Sequence, residues 1–216
     1  MEKFKNLHIE MPAGIVMATY KEAVPFLHNI DFQQILEKPF PVHKAGTMFL
    51  IISGIGKTNS AIATSYLKSN FHVTCLINLG AAGSTTSENK IGDILHIEKS
   101  IEYDSRQSGP PRHKYFIPDT LEGFPTATLS THDVPVMSHE DREKIAAISS
   151  LVDMEGSAFI QASRAFNTRA YLYKIVTDVP GNSETMEIID NMKLTRDTLY
   201  RFFMDKVFEK LFIPQK

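Results

Sequence analysis

The sequence predicts an α/β protein whose mixed central sheet curls partly into a barrel. Short apolar runs alternate with segments of helical periodicity, which is the pattern of α/β folds. Glycine-containing turns follow several of these runs, and the long β-prone segment 92–103 favours a curved sheet. With 43% hydrophobic residues, 216 residues can build one sizeable core, so we expect a single domain over residues 1–216.

Four apolar runs in the first half of the chain are predicted to be strands. Two of them lead into glycine-containing turns, Gly54-Ile55-Gly56-Lys57 and Gly80-Ala81-Ala82-Gly83, which we expect to end those strands. The predicted strands are Gly14–Thr19, Thr47–Ser53, Phe71–Leu79 and Gly92–Tyr103.

Two helices are predicted between these strands. The first runs from Lys21 to about Asn29, and the second follows Lys57. Four apolar residues of the second helix recur at helical spacing: Ile62, Ala63, Tyr66 and Leu67. Residues 105–124 include Gly109-Pro110-Pro111 and are expected to form a loop.

The last part of the chain alternates strands and helices more clearly. Ser138 is expected to cap a short helix, and Ser183 to start a long C-terminal one with acidic residues in its first turn. The predicted elements are strands at Ala127–Ser130, Ser150–Met154 and Tyr171–Thr177, and helices at Glu140–Ile148, Gly156–Phe166 and from Ser183. One apolar face of the last helix is expected to be buried: Ile188, Ile189, Met192, Leu199, Phe202, Phe203 and Leu211.

Charge and cysteine content exclude several classes of protein. A net charge of −2 and a pI of about 6.4 give no electrostatic reason for binding nucleic acid or an anionic membrane. The single cysteine, Cys75, lies in an apolar run and cannot form an internal disulfide, as expected in a reducing compartment. No signal peptide or apolar stretch of membrane-spanning length is evident, so we expect a cytoplasmic protein.

Familiar cofactor and catalytic motifs are missing from the sequence. Gly54-Ile55-Gly56-Lys57-Thr58 lacks the spacing of a P-loop, and Gly80-Ala81-Ala82-Gly83 is too irregular for a dinucleotide-binding turn. The histidines show no zinc-binding pairing, and no Gly-x-Ser-x-Gly motif indicates a serine hydrolase. We therefore expect neither a metal nor a cofactor.

Acidic residues follow predicted strands at several points. Asp153 and Glu155 stand at the end of one strand, Asp178 follows another, and Glu22 opens the first helix. Because catalytic groups of α/β proteins gather where strands end and helices begin, these carboxylates are expected to face one cleft. The alternative is purely structural: Asp153 and Asp178 would cap helices, and Glu22 would be a solvated helix-start residue.

Several of these segments resemble the nucleoside phosphorylase superfamily, and most of all its 5′-methylthioadenosine/S-adenosylhomocysteine nucleosidase branch. The resemblance runs from about residue 14 to the C-terminus. The segments occur in the same order as in the family: Ala18–Pro25, Ser53–Lys57, Asn78–Gly83, Gly92-Asp93-Ile94, Asp153-Met154-Glu155 and Thr177-Asp178. This resemblance implies a three-layer α/β/α phosphorylase/hydrolase-like domain. It also implies a purine nucleoside as the small-molecule partner and a homo-oligomer, with a dimer favoured.

The resemblance also implies roles for individual residues. Glu22 would activate the attacking water, and Asp178 would protonate purine N7. Glu155 would accept hydrogen bonds from the ribosyl hydroxyls. The other residues expected at the substrate site are Met154 beneath the sugar, Val136 at the purine edge, Ile55 at the 5′ substituent, and Asp153, Ala81 and Gly80.

This chain departs from the family pattern at informative positions. Family phosphorylases hold phosphate with an arginine and a serine or threonine where this chain has Asn78 and Ala81, so the resemblance implies hydrolysis, releasing adenine from a 5′-substituted adenosine. The nucleosidases commonly have a serine in place of Ala81, and the region between Tyr103 and Val152 is shorter here. Three alternatives stay open: a phosphorylase, a futalosine-type nucleosidase, or a nucleoside-binding homologue that has lost catalysis. Arg106 and Arg112 either solvate a loop or contact a carboxylate on the 5′ group.

Overall fold

The computed structural model describes residues 11–104, 113–181 and 185–212, in which ten strands form one mixed sheet. The strands are β1 Ala13–Met17, β2 Gln33–Leu36, β3 Val42–Ala45, β4 Met48–Ile52, β5 Cys75–Ser84, β6 Ile94–Glu102, β7 Lys114–Phe116, β8 Thr126–Thr131, β9 Leu151–Asp153 and β10 Arg169–Asp178. The helices are α1 Tyr20–Asn29, α2 Lys57–Phe71, α3 His139–Ala146, α4 Gly156–Ala165, α5 Thr185–Phe202 and α6 Glu209–Phe212, with a π-helical segment, Phe203–Phe208, between α5 and α6.

The pairing of β5 turns half of this sheet into a barrel. One edge of β5 pairs along its length with β10, while the other edge pairs first with β1 and then, at Gly83 and Ser84, with β9. Because β10 pairs with β6, β6 with β8, and β8 with β9, these five strands close a ring. Strands β1, β4, β3 and β2 extend from β5 as an open sheet, and β7 pairs with β6. The predicted mixed, partly barrel-like sheet is therefore confirmed.

Alternating side chains of the sheet enter two separate cores. In β1, Ile15 and Met17 pack in the core that contains helices α1 and α5, whereas Val16 packs in the core that contains α2 and α4. Strand β4 divides in the same way, with Leu50 in the first core and Ile51 in the second. Strands that are buried on both faces read as continuous apolar runs, and this arrangement is the expected three-layer α/β/α architecture.

Two predicted boundaries near β5 were wrong. Residue Phe71 ends α2 instead of starting a strand, because its ring packs against Phe49 with centroids 4.6 Å apart. The chain then turns at His72, whose φ of 52° ends the helix in a left-handed conformation. Gly80-Ala81-Ala82-Gly83 does not end β5, since β10 pairs with the strand as far as Gly83.

Other differences lie at the sheet edges and near the C-terminus. Part of the predicted 105–124 loop is strand β7, while Arg106 and Arg112 lie outside the described residues. Strands β2 and β3 have no counterpart in the prediction; β2, Gln33–Leu36, is largely exposed and carries no apolar alternation. Ser183, the predicted helix start, also lies outside the described residues. No helix in the described part of the chain has the length and apolar character needed to cross a membrane.

Candidate active site

A cavity of about 360 Å³ lies where β1, β5 and β10 end, below α5. Its volume is within the range of small-molecule sites, and apolar side chains make up most of its wall. Eight predicted site residues line it together: Glu22, Ile55, Ala81, Val136, Asp153, Met154, Glu155 and Asp178. The expectation that the strand-end carboxylates face one cleft is therefore confirmed.

Glu22 is both a helix-capping residue and a wall residue of the cavity. Its Oε2 accepts hydrogen bonds from the backbone N–H and the hydroxyl of Thr19, at 2.9 and 2.7 Å, in a capping box that starts α1. Its Oε1 accepts the N–H of Ala81 at 3.0 Å, which ties the helix to β5. The glutamate is buried and fixed on both oxygens, so the structural and functional interpretations are compatible.

Glu155 begins α4 and is joined to the glycine turn before α2. Its Oε1 accepts the N–H of Gly56 at 2.8 Å, a contact between residues 99 positions apart. Burial raises the pKa of Glu155 to about 7, although the positive charge of Lys174 and the Gly56 hydrogen bond oppose that shift. The side chain is thus an acceptor that titrates near neutrality.

Asp153 and Lys174 form a buried ion pair beside Glu155. Lys174 Nζ lies 2.8 Å from Asp153 Oδ2, and both side chains are almost fully buried. Burial alone would lower the pKa of Lys174, but the negative charges of Asp153 and Glu155 outweigh it and raise that pKa. Asp153 also accepts the hydroxyl of Thr131 and the N–H of Gly156, so it satisfies the first N–H of α4, although Glu155 holds the N-cap position.

Asp178 ends β10 and is paired with an arginine, and its described contacts do not include a helix cap. One N–H of the Arg142 guanidinium donates a short hydrogen bond to Asp178 Oδ2, and both side chains are buried. The Thr177 hydroxyl donates to Oδ1 at 3.1 Å. A Cβ added to Gly83 would lie 2.6 Å from Oδ2, so the glycine leaves room for this carboxylate.

Gly80 lies behind the cavity wall, unlike the other predicted site residues. A Cβ at this position would lie 2.9 Å from Glu22 Oε1 and 3.5 Å from Lys174 Nζ. The absence of a side chain therefore makes room for a carboxylate and an ammonium group.

Several residues on or behind the cavity wall were not among those predicted for the site. Lys174 had a detectable signal, since a lysine inside the apolar run of β10 needs a buried carboxylate partner. Arg142 had none, because its short helix is otherwise polar and reads as a surface element. Ile188, Ile189 and Met192, which were predicted to be buried, line the cavity instead. Lys174 contacts Asp153 from behind the wall, whereas Arg142, Ile188, Ile189 and Met192 line the cavity directly.

Possible metal ligands were sought among the described residues. Within the ranges 11–104, 113–181 and 185–212, no group of three or more His, Cys, Asp or Glu residues is arranged to hold a metal ion.

Family comparison agrees with the arrangement of these residues. The model of the phosphorylase superfamily matches residues 12–208, which is most of the chain. The chain belongs to the phosphorylase superfamily. Among curated relatives of this superfamily member, a 5′-methylthioadenosine/S-adenosylhomocysteine nucleosidase of Buchnera aphidicola is 27% identical over 89% of this chain and 95% of its own. The Maridesulfovibrio salexigens protein of the same name is 25% identical, over 78% and 86% of the two chains.

Solved structures show the same fold. A mutant Helicobacter pylori nucleosidase with 5′-methylthioadenosine in its active site superposes with a TM-score of 0.82, at 19% identity over 93% of this chain and all of the other. A futalosine hydrolase of Helicobacter pylori gives a TM-score of 0.82, at 21% identity over 91% and 97% of the chains. At these identities the likeness establishes the fold.

Proposed function

We propose that this superfamily member is a cytoplasmic, homo-oligomeric purine nucleosidase. It would hydrolyse the N-glycosidic bond of a 5′-substituted adenosine, of the methylthioadenosine or S-adenosylhomocysteine type, and release adenine. One observation carries the proposal: Glu22, Glu155 and Asp178 lie on the wall of a single cavity. The names of the curated relatives support the choice of substrate.

Each carboxylate has a separate task in the proposed reaction. Water adds to C1′ of the sugar and gives a proton to Glu22, while the bond between C1′ and N9 breaks with its electron pair going to the purine. Asp178 gives a proton to N7, so that the base leaves as a neutral molecule. General acid and general base steps of this kind contribute about 10²–10⁴-fold each.

Glu22 is suited to hold the water because its orientation is fixed. The two Thr19 donors occupy Oε2, and Ala81 donates to Oε1. A carboxylate has about four lone-pair sites, so acceptor capacity is left for one water molecule. The Oε1 atom also approaches the Gly80 backbone, so a larger residue there would displace the glutamate.

Glu155 is suited to bind the ribosyl hydroxyls. The Gly56 hydrogen bond uses only part of its acceptor capacity, and Met154 lies next to it on the wall. Two hydroxyl donors would favour the charged form of a glutamate whose pKa burial has raised to about 7. Binding of the sugar would thus fix the ionised state.

Hydrolysis is favoured over phosphorolysis by the residues at the position where the family binds phosphate. Asn78 is buried and donates to the Val16 carbonyl at 3.0 Å, and Ala81 offers no hydroxyl. Lys174 is engaged with Asp153, which leaves its charge compensated. A phosphate dianion needs cationic or hydroxyl donors, which these three positions do not offer.

A second copy of the chain is part of the proposal. Ile55 lines the cavity, yet 56% of its surface is exposed, so one side of the proposed 5′ pocket is open to solvent. A partner subunit would cover this side. Sedimentation equilibrium of the free protein measures the oligomeric state, and a monomer at micromolar concentration would contradict this part of the proposal.

Product analysis tests the reaction directly. The protein is incubated with methylthioadenosine, S-adenosylhomocysteine, adenosine, inosine and futalosine, each with and without phosphate. We expect adenine from the 5′-substituted adenosines at equal rates in both buffers. A strict requirement for phosphate, with a sugar 1-phosphate as product, would overturn the hydrolase assignment, and preferred cleavage of futalosine or inosine would change the substrate.

A further inference from the structure

Arg142 bridges the two sides of the purine end of the cavity. Its Nε and Nη2 both donate to the Val136 carbonyl, at 3.1 and 3.0 Å, and Nη2 also donates to Asp178 Oδ2. Its Nη1 donates to the Ser84 carbonyl at 2.7 Å. One planar group therefore joins the segment before α3, the end of β5 and the end of β10.

The burial of this arginine needs a reason. Its side chain is only 2% exposed, and a buried guanidinium is costly unless its donors are paired. Four hydrogen bonds to two carbonyls and one carboxylate pair them here, and the fixed fork of the guanidinium sets the distances among all three acceptors. The arginine also lines the cavity, so this cluster is part of the site wall.

We propose that Arg142 is a positioning residue for departure of the base. This inference rests on the proposed function. The guanidinium holds Oδ2 of Asp178, so Oδ1, which also accepts the Thr177 hydroxyl, is the oxygen that would meet the purine. It also binds the Val136 carbonyl, so the guanidinium fixes the distance between the proton donor and the backbone at the purine edge.

The charge of Arg142 also assists the proton transfer. When Asp178 gives its proton to N7, the carboxylate that forms is the partner of the guanidinium, which already contacts Oδ2 in the structure. An opposite charge at hydrogen-bonding distance stabilises the developing anion. Solvent returns the proton before the next turnover.

A double-mutant cycle tests this inference. The variants are Arg142→Met, Asp178→Asn and the two combined, assayed for kcat with methylthioadenosine and for adenine affinity by calorimetry. Because Arg142 acts through Asp178, Arg142→Met should lower kcat at least ~10-fold in the wild-type background and less than ~3-fold in the Asp178→Asn background. Arg142→Met should lower adenine affinity in the wild-type and in the Asp178→Asn background, since the Val136 carbonyl loses its Arg142 donors in each.

Arg164 provides a matched control. Its guanidinium likewise donates twice to one carbonyl, that of Ile117, and pairs with the carboxylate of Asp119, but it lies outside the cavity wall. Arg164→Met should lower the melting temperature and leave kcat unchanged. Arg142→Lys keeps the charge without the fork, so it should recover part of kcat but not adenine affinity. The lysine variant also serves for the cycle if the methionine variant does not fold.

The outcomes separate the inference from the proposed function. If the two losses in kcat multiply, or if folded Arg142→Met turns over like the wild type, the positioning role is wrong even though the enzyme is a nucleosidase. If the wild-type protein cleaves no nucleoside, the proposed function fails, and Arg142 is then judged by adenine binding. Unchanged adenine affinity in folded Arg142→Met, or no adenine binding at all, would then overturn the inference too.

Discussion

Lys174 Nζ and Asp153 Oδ2 lie 2.8 Å apart in a position from which solvent is almost fully excluded. The negative charges of Asp153 and Glu155 stabilise the positive form of Lys174 and raise its pKa, although burial opposes that shift. The pair thus holds two neighbouring carboxylates of the cavity wall in their places. The ion pair therefore supports the site from behind the cavity wall.

Removing only the lysine should be costly. Lys174→Met leaves Asp153 buried without its cation, and breaking a buried pair in this way costs about 3–5 kcal/mol of unfolding free energy. The combination Lys174→Met with Asp153→Asn should be less destabilised than Lys174→Met alone, because no uncompensated charge is left. Denaturant unfolding of the variants measures this difference.

Lys57 offers the control for that experiment. It contacts three carboxylates, those of Glu102, Asp104 and Asp133, but is only partly buried. Lys57→Met should therefore be less destabilising than Lys174→Met, since solvent compensates its partners. Equal losses for the two lysines would show that burial of the Lys174 pair has no special effect.

Glu155 should make the stability of the free protein depend on pH. Its folded-state pKa of about 7 lies above its ordinary value of 4.5, so the protonated form favours the folded state. The contribution is fully present below about pH 4.5 and is lost as pH rises through about 7. Relative to Glu155→Gln, the wild type should lose on the order of 1–3 kcal/mol between pH 5 and pH 8.

Chemical unfolding of both proteins across that pH range measures this linkage. The glutamine keeps the shape and removes the titration, so any constant effect of the substitution cancels in the slope. Parallel curves of unfolding free energy against pH for the two proteins would mean that Glu155 has the same pKa in the folded and unfolded states. That result would contradict the prediction. Asp153→Asn is a second variant for the same measurement, because the charge of Asp153 contributes to the raised pKa of Glu155.

The sugar-binding role of Glu155 has its own test. Hydrogen bonds to a charged group contribute about 1.5–3 kcal/mol each, and free adenine has no hydroxyls to donate. Glu155→Ala should therefore weaken a non-hydrolysed nucleoside analogue by 10-fold or more, as about 1.4 kcal/mol corresponds to tenfold. Adenine affinity should change much less. Calorimetry with equal losses for both ligands would contradict the assignment.

Glu22 should be needed for chemistry and only slightly for stability. Glu22→Gln keeps one acceptor and the shape but removes the base, so hydrolysis should fall by ~10²-fold or more. Adenine should still bind, because the proposed base site is at Val136 and Asp178. The stability cost should be about that of a helix-start charge, 0.3–1 kcal/mol, measured by denaturant unfolding.

A helix-start acid on α3 gives the matched control. Asp141 accepts a hydrogen bond from the Ser138 hydroxyl, and its N–H donates to that hydroxyl, as in the capping of α1, but Asp141 lies outside the cavity wall. Asp141→Asn should lower the melting temperature slightly and leave kcat alone. If Glu22→Gln behaves in the same way, Glu22 is only a capping residue, and the proposed hydrolytic mechanism loses its base.

Local signals in the sequence were enough for most of the elements. The apolar runs of β1 and β4 and the helical spacing of α2 each depend on neighbouring residues alone, so their types were predictable. The boundary at Phe71 was not, because the contact of this residue with Phe49 joins two distant elements. The barrel part of the sheet was suggested by the long β segments, but its closure depends on which edge of β5 meets β10.

The candidate site divides in the same way between sequence and structure. The sequence by itself determined the carboxylates, since Glu22, Glu155 and Asp178 stand at strand ends that an α/β fold brings to one edge. Only the tertiary structure decided their partners: Arg142 with Asp178 and Lys174 with Asp153. These pairs join residues 36 and 21 positions apart on different elements. The physical reason is that packing between distant elements selects the partner of a buried charge. Such packing leaves no periodic pattern in the local sequence.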